Sequence, residues 1–439
     1  MSKEQDKQAI FDLVKAYVEK YHQPPVYQEG DYIPYARKNY DENELINLID
    51  ASLDFWLTAS TYTNQFEAKL GAYLGIPYVS FVNSGSSANL LALACLTSPL
   101  LKERQLKKGD EVITVACGFP TTVNPIVQLG LVPVFLDITL PTYNIKVEDL
   151  EKAYSPKTKA VMIAHTLGNP FDIEKVKAFC DAHGLWLIED NCDALGSTYH
   201  GQLTGTFGDV ATSSFFPAHH ITTGEGGAVY TKNPLLHKII RSMRDWGRDC
   251  ACAPGEDNHC GMRYEGKHGS LPKGYDHKYV YSHFGYNLKA TDLQAAIGVA
   301  QMDKLASFTE KRIAHFHYFD ACIKEAGLEE LLLPKAEKNS EPSWFGYLIT
   351  TKEGVDTVAL IRHLEAHGVQ TRKLFAGNIV KQPLFEDLEE GKDYRIVGDL
   401  QCTDFVMEHS FWLGLHPGMR EEMLDAMVKQ VVTFFKEVN

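Results

Sequence analysis

The sequence has no excess of basic charge. Its 43 lysine and arginine residues stand against 57 acidic ones, for a formal net charge of −14. That balance excludes a general nucleic-acid or acidic-membrane binder, since both need a positive surface. A negatively charged nucleotide substrate is still compatible with a local basic pocket. No apolar run is long enough to span a bilayer. The opening residues Met1-Ser2-Lys3-Glu4-Gln5-Asp6-Lys7 are polar and lack a signal-peptide core, so a cytoplasmic protein is expected. There is no internal repeat and no low-complexity tract. Cysteine is sparse, nine in 439 residues. Nine thiols in so long a cytosolic chain are not a disulfide framework, and their spacing is to be read for metal or redox use. One local absence matters more than these: no lysine occurs between Lys177 and Lys232.

What is present reads as an α/β protein large enough to bury a sizeable core, with two or three domains, or one large and one small. Residues 1 to about 75 carry helical spacing, as in Ile10, Leu13, Val14, Tyr17 and Val18. Strand-like runs then alternate with helical ones: Tyr78–Val82, Glu111–Ala116, Val132–Asp137, Ala160–His165 and Leu185–Asp190, with a helix over Ile173–His183. That order predicts a mostly parallel sheet covered by helices on both faces. Ligands bind beyond the carboxyl ends of such strands, where Asp190, Phe119 and the turn at Gly85 are placed. From Arg241 to Phe284 the pattern breaks down into a long polar loop, and a structureless loop of that length is usually functional. Helix is expected again over Phe284–Gly298. A smaller α/β domain follows from about residue 310, with strands at Trp344–Thr350 and Gly368–Leu374.

Three stretches carry chemistry. Asn83-Ser84-Gly85-Ser86-Ser87-Ala88-Asn89 opens an apolar helix, Leu90 to Leu96, and a Gly-Ser turn at a helix amino end offers N–H groups to phosphate. Such residues also simply cap helices. Leu187-Ile188-Glu189-Asp190 ends a strand in carboxylates. Ser213-Ser214-Phe215-Phe216-Pro217-Ala218-His219-His220-Ile221-Thr222-Thr223-Gly224-Glu225-Gly226-Gly227 runs strand, exposed loop, strand.

The last stretch resembles S-F-x-x-x-K-x-x-T-T-G-E-G-G of the DegT/DnrJ/StrS sugar aminotransferases, which use pyridoxal phosphate (PLP). Asp54-Phe55-Trp56-Leu57-Thr58 is similar to that family's "GWLT" segment, and Phe284 to Gly298 to its "GYN-x-R-x-x-D-x-x-A-A-x-G". The resemblance runs from about Tyr35 to the carboxyl end. It implies the fold-type I PLP-dependent transferase fold, like that of aspartate aminotransferase. It further implies an N-terminal helical segment at 1–34, a large cofactor-binding domain at 35–305 containing the cysteine loop 248–284, and a small domain at 306–439. By the same resemblance Asp190 pairs with the pyridine nitrogen and Phe119 stacks on the ring. Gly85, Ser86, Ser87 and Ser214 hold the phosphate. Asn287 holds it from the neighbouring subunit of a homodimer. A carboxylate at the nitrogen suits the chemistry, because a protonated pyridinium is an electron sink.

There are two departures. His219 stands where the family has its Schiff-base lysine, with His220 as the neighbouring alternative. An imidazole forms no stable imine but titrates near neutral pH and serves as a general base. That suits pyridoxamine phosphate (PMP), which needs no covalent tether. The second departure is C-x-C-x7-C at Cys250, Cys252 and Cys260, with Cys192 available as a fourth thiolate. Four thiolates suit a [2Fe–2S] cluster or a structural zinc, and C-x-C is uncommon for zinc. Both departures together resemble one branch of the family, the PMP- and [2Fe–2S]-dependent CDP-4-keto-6-deoxy-D-glucose 3-dehydrases of 3,6-dideoxyhexose synthesis. That branch implies loss of the C3 hydroxyl from a CDP-4-keto-6-deoxyglucose-type nucleotide sugar, with electrons from a separate NAD(P)H-dependent flavin/iron–sulfur reductase. Arg244, Arg248, Arg263, Lys267 and Lys273 are candidates for docking that partner, against the reading that they are solvated charges. Two rivals stand beside this reading: a cluster-free PMP-dependent 3-dehydrase, and a non-enzymatic protein that kept the fold. Asp193 has no assigned role.

Overall fold

The computed structural model describes residues 2–23, 26–252, 255–259 and 261–438. Three helices come first: α1 (Lys3–Tyr21), α2 (Glu42–Asp54) and α3 (Thr61–Leu74). Capping boxes start the first two, Ser2 with Gln5 and Asp41 with Glu44. No side-chain cap of its own starts α3. The carboxylate of Asp292, over 200 residues on, accepts from the N–H groups of Ser60, Tyr62 and Thr63 at 2.8–3.1 Å.

The alternating series follows: β1 (Tyr78–Val82), α4 (Gly85–Ala94), β2 (Glu111–Val115), α5 (Pro120–Gln128), β3 (Val132–Leu136), β4 (Thr158–Ala164), α6 (Ile173–His183), β5 (Trp186–Asp190), β6 (Val210–Ser214), β7 (Gly227–Thr231) and α7 (Pro234–Arg244). The remainder supplies α8 (Asp292–Met302), α9 (Leu305–Ala326), β8 (Leu331–Leu332), β9 (Gly346–Thr351), α10 (Thr357–Ala366), β10 (Thr371–Arg372), β11 (Arg395–Ile396), α11 (Gln401–His409), β12 (Ser410–Gly414) and α12 (Glu421–Val438).

One eight-stranded sheet has the order β1-β7-β6-β5-β4-β2-β3-β11. From β6 to β11 every pair is parallel, while β7 is antiparallel to both β6 and β1. The expected α/β class with a mostly parallel sheet is what forms. Strands β2, β5, β6 and β7 are buried throughout, as strands covered on both faces are. A second, antiparallel sheet, β8-β9-β12-β10, forms the smaller layer with α9, α10 and α12.

Several expectations change. Residues 284–291 are not helical: α8 begins at Asp292, because Thr291 caps it and Gln294 closes a capping box. The helix expected from Leu90 begins at Gly85. The strand expected over 368–374 shrinks to the two residues of β10. The carboxyl-terminal part also returns to the large sheet, where β11 pairs with β3. Among the described residues, the 245–291 stretch contains only one helical turn, His277–Tyr279.

Candidate active site

The carboxyl ends of β4, β5 and β6 and the amino end of α4 meet at a cavity of about 310 Å³. The smaller layer closes its other side with Phe345, Arg372, Lys373, Phe375 and Trp412. This is where an open α/β sheet gathers strand-end side chains and helix N–H groups.

Asp190 ends β5 and lines the cavity. Its Oδ2 accepts from Asn89 Nδ2 at 2.8 Å and Thr122 Oγ1 at 2.7 Å, and its Oδ1 from the Cys192 N–H at 3.1 Å. Thr212 donates in turn to Asn89 Oδ1 at 2.6 Å and orients that amide. The carboxylate is therefore held by three donors rather than free to rotate. Its neighbour Glu189 points to the other face of the sheet, as strand alternation requires. There it accepts from the N–H groups of Gly205, Phe207 and Gly208 at 2.6–2.8 Å, and pairs with His165 Nε2 at 3.1 Å. Burial by itself raises the pKa of Glu189, but His165 and the backbone donors outweigh it and hold the carboxyl below its ordinary range.

Gly85 and Ser86 at the start of α4 and Ser214 at the end of β6 form one wall. Gly85 must be glycine: a Cβ there would lie 2.4 Å from Ser214 Cβ and 2.6 Å from its Oγ. Ser84 caps the helix by accepting from the Ser87 N–H at 3.0 Å and donates to the Ser87 hydroxyl at 3.0 Å. Ser87 thus belongs to the cap and is not among the residues lining the cavity. Phe119, just before α5, lines it with one half of its surface exposed and meets Phe375 edge to face at 6.3 Å.

His219 lines the cavity and His220 does not. The turn that does this is closed by the His219 N–H donating to Phe216 at 2.9 Å. His220 is buried, and its Nε2 donates to the Ser343 carbonyl at 2.8 Å. Burial, with Arg312 nearby, pushes His220 well below the ordinary imidazole range, so it is a neutral packing group. His219 has Asp193 Oδ1 3.4 Å from its Nδ1 and Phe345 at 5.3 Å from its ring. At that separation the contact with Asp193 is electrostatic and not an aligned hydrogen bond.

Sequence reasoning missed Arg312. This buried guanidinium on α9 donates to the carbonyls of Ala218, His219, Trp344, Phe345 and Leu415 at 3.2–3.5 Å. It ties the His219 turn to β9 and to the end of β12. Burial lowers its pKa to about 10, which leaves it charged at neutral pH. It also missed Asn89 and Thr122. A lone asparagine inside an apolar helix was the available signal for Asn89, since a buried amide needs partners. Arg372 and Lys373 place positive charge at the cavity; Arg372 lies 4.1 Å over the Tyr35 ring. Lys373 is the one lysine lining the cavity among the described residues, and its Nζ donates to the carbonyls of Met407 and Glu408.

Asn287 is outside its own chain's cavity, accepting from Lys289 Nζ at 3.0 Å. Cys192 lines the cavity, whereas Cys250 and Cys252 line a separate one against α7. Cys260 lies outside the described residues. Arg244 cannot dock a partner: it is buried, bonded to Glu67, Asp245 and the Phe81 carbonyl. Arg263 is paired with Asp276.

The residues present fit a pyridoxal-type cofactor: a fixed carboxylate, a glycine–serine wall that a Cβ would fill, and an aromatic at the opening. The described cysteines of one chain do not converge on a single centre. Comparison with known proteins agrees with the first of these. The chain is 52% identical over 432 residues to the lipopolysaccharide biosynthesis protein RfbH of Salmonella typhimurium, covering 98% of each. It is 47% identical over 429 residues to a dTDP-4-dehydro-2,6-dideoxy-D-glucose 3-dehydratase of Saccharopolyspora spinosa, covering 96% of this chain and 92% of that one. Among solved structures, the Escherichia coli GDP-4-keto-6-deoxy-D-mannose-3-dehydratase with bound hydrated PLP superposes with a TM-score of 0.80 at 28% identity, covering 91% of this chain and 99% of that one. Residues 39–432 match the DegT/DnrJ/EryC1/StrS aminotransferase family, and the chain belongs to that family.

Proposed function

We propose that this protein is a PMP-dependent dehydrase that removes the C3 hydroxyl of a nucleotide-linked 4-keto-deoxyhexose, in the cytoplasm and within 3,6-dideoxyhexose synthesis. The observation that carries the reading is His219, which lines the same cavity as Asp190 and stands where the resemblance to the family's sugar aminotransferases puts a lysine. The 3-dehydratases among its relatives support the substrate class. One acts on a dTDP-sugar and the other on a GDP-sugar by name, so the carrier is assigned only as a nucleoside diphosphate.

In the cavity PMP would supply a primary amine for the C4 ketone and, in its pyridinium, an electron sink for loss of the C3 hydroxyl. Asp190, fixed by Asn89, Thr122 and the Cys192 N–H, holds the proton on the ring nitrogen. Gly85, Ser86 and Ser214 receive the phosphate, and Phe119 covers the ring. His219 takes a proton from the carbon bearing the cofactor's amine, with Asp193 stabilising the resulting imidazolium. Arg372 and Lys373 face the substrate's diphosphate from the smaller layer. Completing the 3-deoxy product takes two electrons and two protons. Cys192, Cys250, Cys252 and Cys260 are the thiolates that would hold an iron–sulfur centre able to pass single electrons, with a separate NAD(P)H-dependent reductase as their source.

Borohydride treatment of PLP-loaded protein followed by intact-mass analysis tests the cofactor reading. No pyridoxyl group should remain on the chain, and a reduced adduct on Lys373 would refute it. A cluster-free dehydrase is the second reading. It is favoured by the two separate cavities that hold the described cysteines and by the GDP-sugar 3-dehydratases among the relatives. Iron and sulfide assays on anaerobically purified protein decide between them.

A further inference from the structure

Within one chain, Cys192 and the loop cysteines are kept apart by the fold. Cys192 follows β5 and sits at the carboxyl end of that strand. Cys250 and Cys252 lie along one face of α7, beside His237, Lys238, Arg241 and Ser242. Helix α7 packs on the sheet edge at β1 and on α4. Edge strand β1 is three strands from β5 in the sheet order, roughly 14 Å at the usual strand spacing of about 4.8 Å. Along the other axis, His237 stacks on Tyr78, the end of β1 remote from the Gly85 turn. The two cavities share no lining residue.

The loop is also fastened where it lies. The Asp249 N–H donates to Val280 at 3.0 Å, and the Asp249 carboxylate pairs with His277 at 2.8 Å. His283 bonds both Ser242 at 2.8 Å and Ser98 at 2.7 Å, beyond the far end of α4. Thiolates bound to one metal centre lie within a few ångströms of each other. Bringing Cys250 to Cys192 of the same chain would need these fastenings released and α7 bypassed.

The same stretch is unusually apolar on its outside. Phe284 is fully exposed, and Trp246, Tyr264, Tyr279 and Tyr281 are each about half exposed. Phe55 and Trp56 are exposed too, with Trp56 against Gly255 in the cysteine loop. Exposed aromatics in that number suit a face that another protein covers. A second copy of the chain is the occupant that also supplies what the loop lacks, a Cys192.

We infer that the thiolate set is completed between two copies of the chain, Cys192 of one protomer meeting Cys250 and Cys252 on the loop of its partner. A two-fold axis then makes two equal centres per dimer. This rests on the iron–sulfur part of the proposed function.

The test co-expresses two differently tagged chains, one Cys192→Ser and the other Cys252→Ser, and purifies the doubly tagged heterodimer without air. Completion between chains leaves one centre of its two fully wild type. Completion within a chain leaves none. The expected result is iron and sulfide per dimer at half the wild-type level, with both homodimeric variants depleted. A heterodimer as empty as the two homodimers overturns the inference, and so does a Cys192→Ser homodimer with full iron content. Wild-type protein without iron would instead overturn the iron–sulfur reading itself, and the inference with it. An unchanged circular dichroism spectrum and dimer elution volume show that each variant is folded, and Cys250→Ser replaces Cys252→Ser if that chain does not fold.

Discussion

At the scale of single residues, two adjacent histidines have opposite fates. His220 is buried and donates to a carbonyl; His219 faces the cavity and Asp193. Only the second has a route to a proton on a bound cofactor. His219→Asn should lower turnover by about 10²–10⁴-fold, the usual contribution of a positioned general base. The melting temperature should be nearly unchanged, because the ring is held by few contacts of its own. Steady-state kinetics together with exchange of the C3 oxygen into labelled water measures this. Full oxygen exchange in the variant would remove His219 from the reaction. Arg312 belongs to the same scale: its five carbonyl partners hold the backbone that presents His219.

At the scale of elements, the start of α4 and the end of β5 each carry one tight constraint. Gly85→Ala drives a methyl into Ser214. Overpacking of this kind costs about 1–3 kcal/mol, which corresponds to roughly 5- to 150-fold weaker PMP binding if the wall is displaced. Titration of cofactor absorbance measures the change, and unaltered affinity would mean that this wall is not the phosphate site. Glu189, on the opposite face of β5, fastens the 205–208 turn and His165. Glu189→Ala strands those donors and should cost about 3–5 kcal/mol of stability. Its folded pKa lies below the ordinary 4.5. Its stabilising contribution is therefore complete above the unfolded value and is lost as pH falls through the folded one. Wild type should lose stability faster than Glu189→Ala as pH drops below about 4.5, as urea denaturation at a series of pH values would reveal. Parallel curves would assign the acid sensitivity to other carboxyls.

At the scale of the molecule, the cavity is shared between the large sheet and the smaller layer, so whatever fills it bridges both. A ligand that binds only the folded state stabilises it by about 2.7 kcal/mol at a hundredfold excess over Kd. PMP should therefore raise the melting temperature of wild type in a concentration-dependent way, and more weakly in Gly85→Ala. Differential scanning fluorimetry reads this directly. A melting temperature indifferent to PMP up to millimolar concentration would be incompatible with the proposed site.

Much of this was already legible in the order of residues. The βα alternation, the buried strands and the strand-end position of Asp190 follow from local period and composition. The C-x-C-x7-C spacing and the lysine-free stretch are read directly off the residues, while the histidine in the lysine's place is legible only through the family resemblance. The alternation and the strand ends are properties of neighbouring residues, and short-range sterics and hydrophobic periodicity suffice to read them. Tertiary structure alone decided which partners arrive from elsewhere: Asn89 and Thr122 at Asp190, Asp292 at the start of α3, and Arg312 behind His219. It gave the physical reason that His219, the histidine the family resemblance selects, faces the cavity and its neighbour does not: the path of one turn sets which ring points inward. It also placed Cys192 in one cavity and Cys250 and Cys252 in another. Closing a long loop costs little more than closing a short one, so a spacing along the chain encodes no distance in space. Where thiols separated by that loop finally lie is set by the packing of α7 against α4 and the sheet edge.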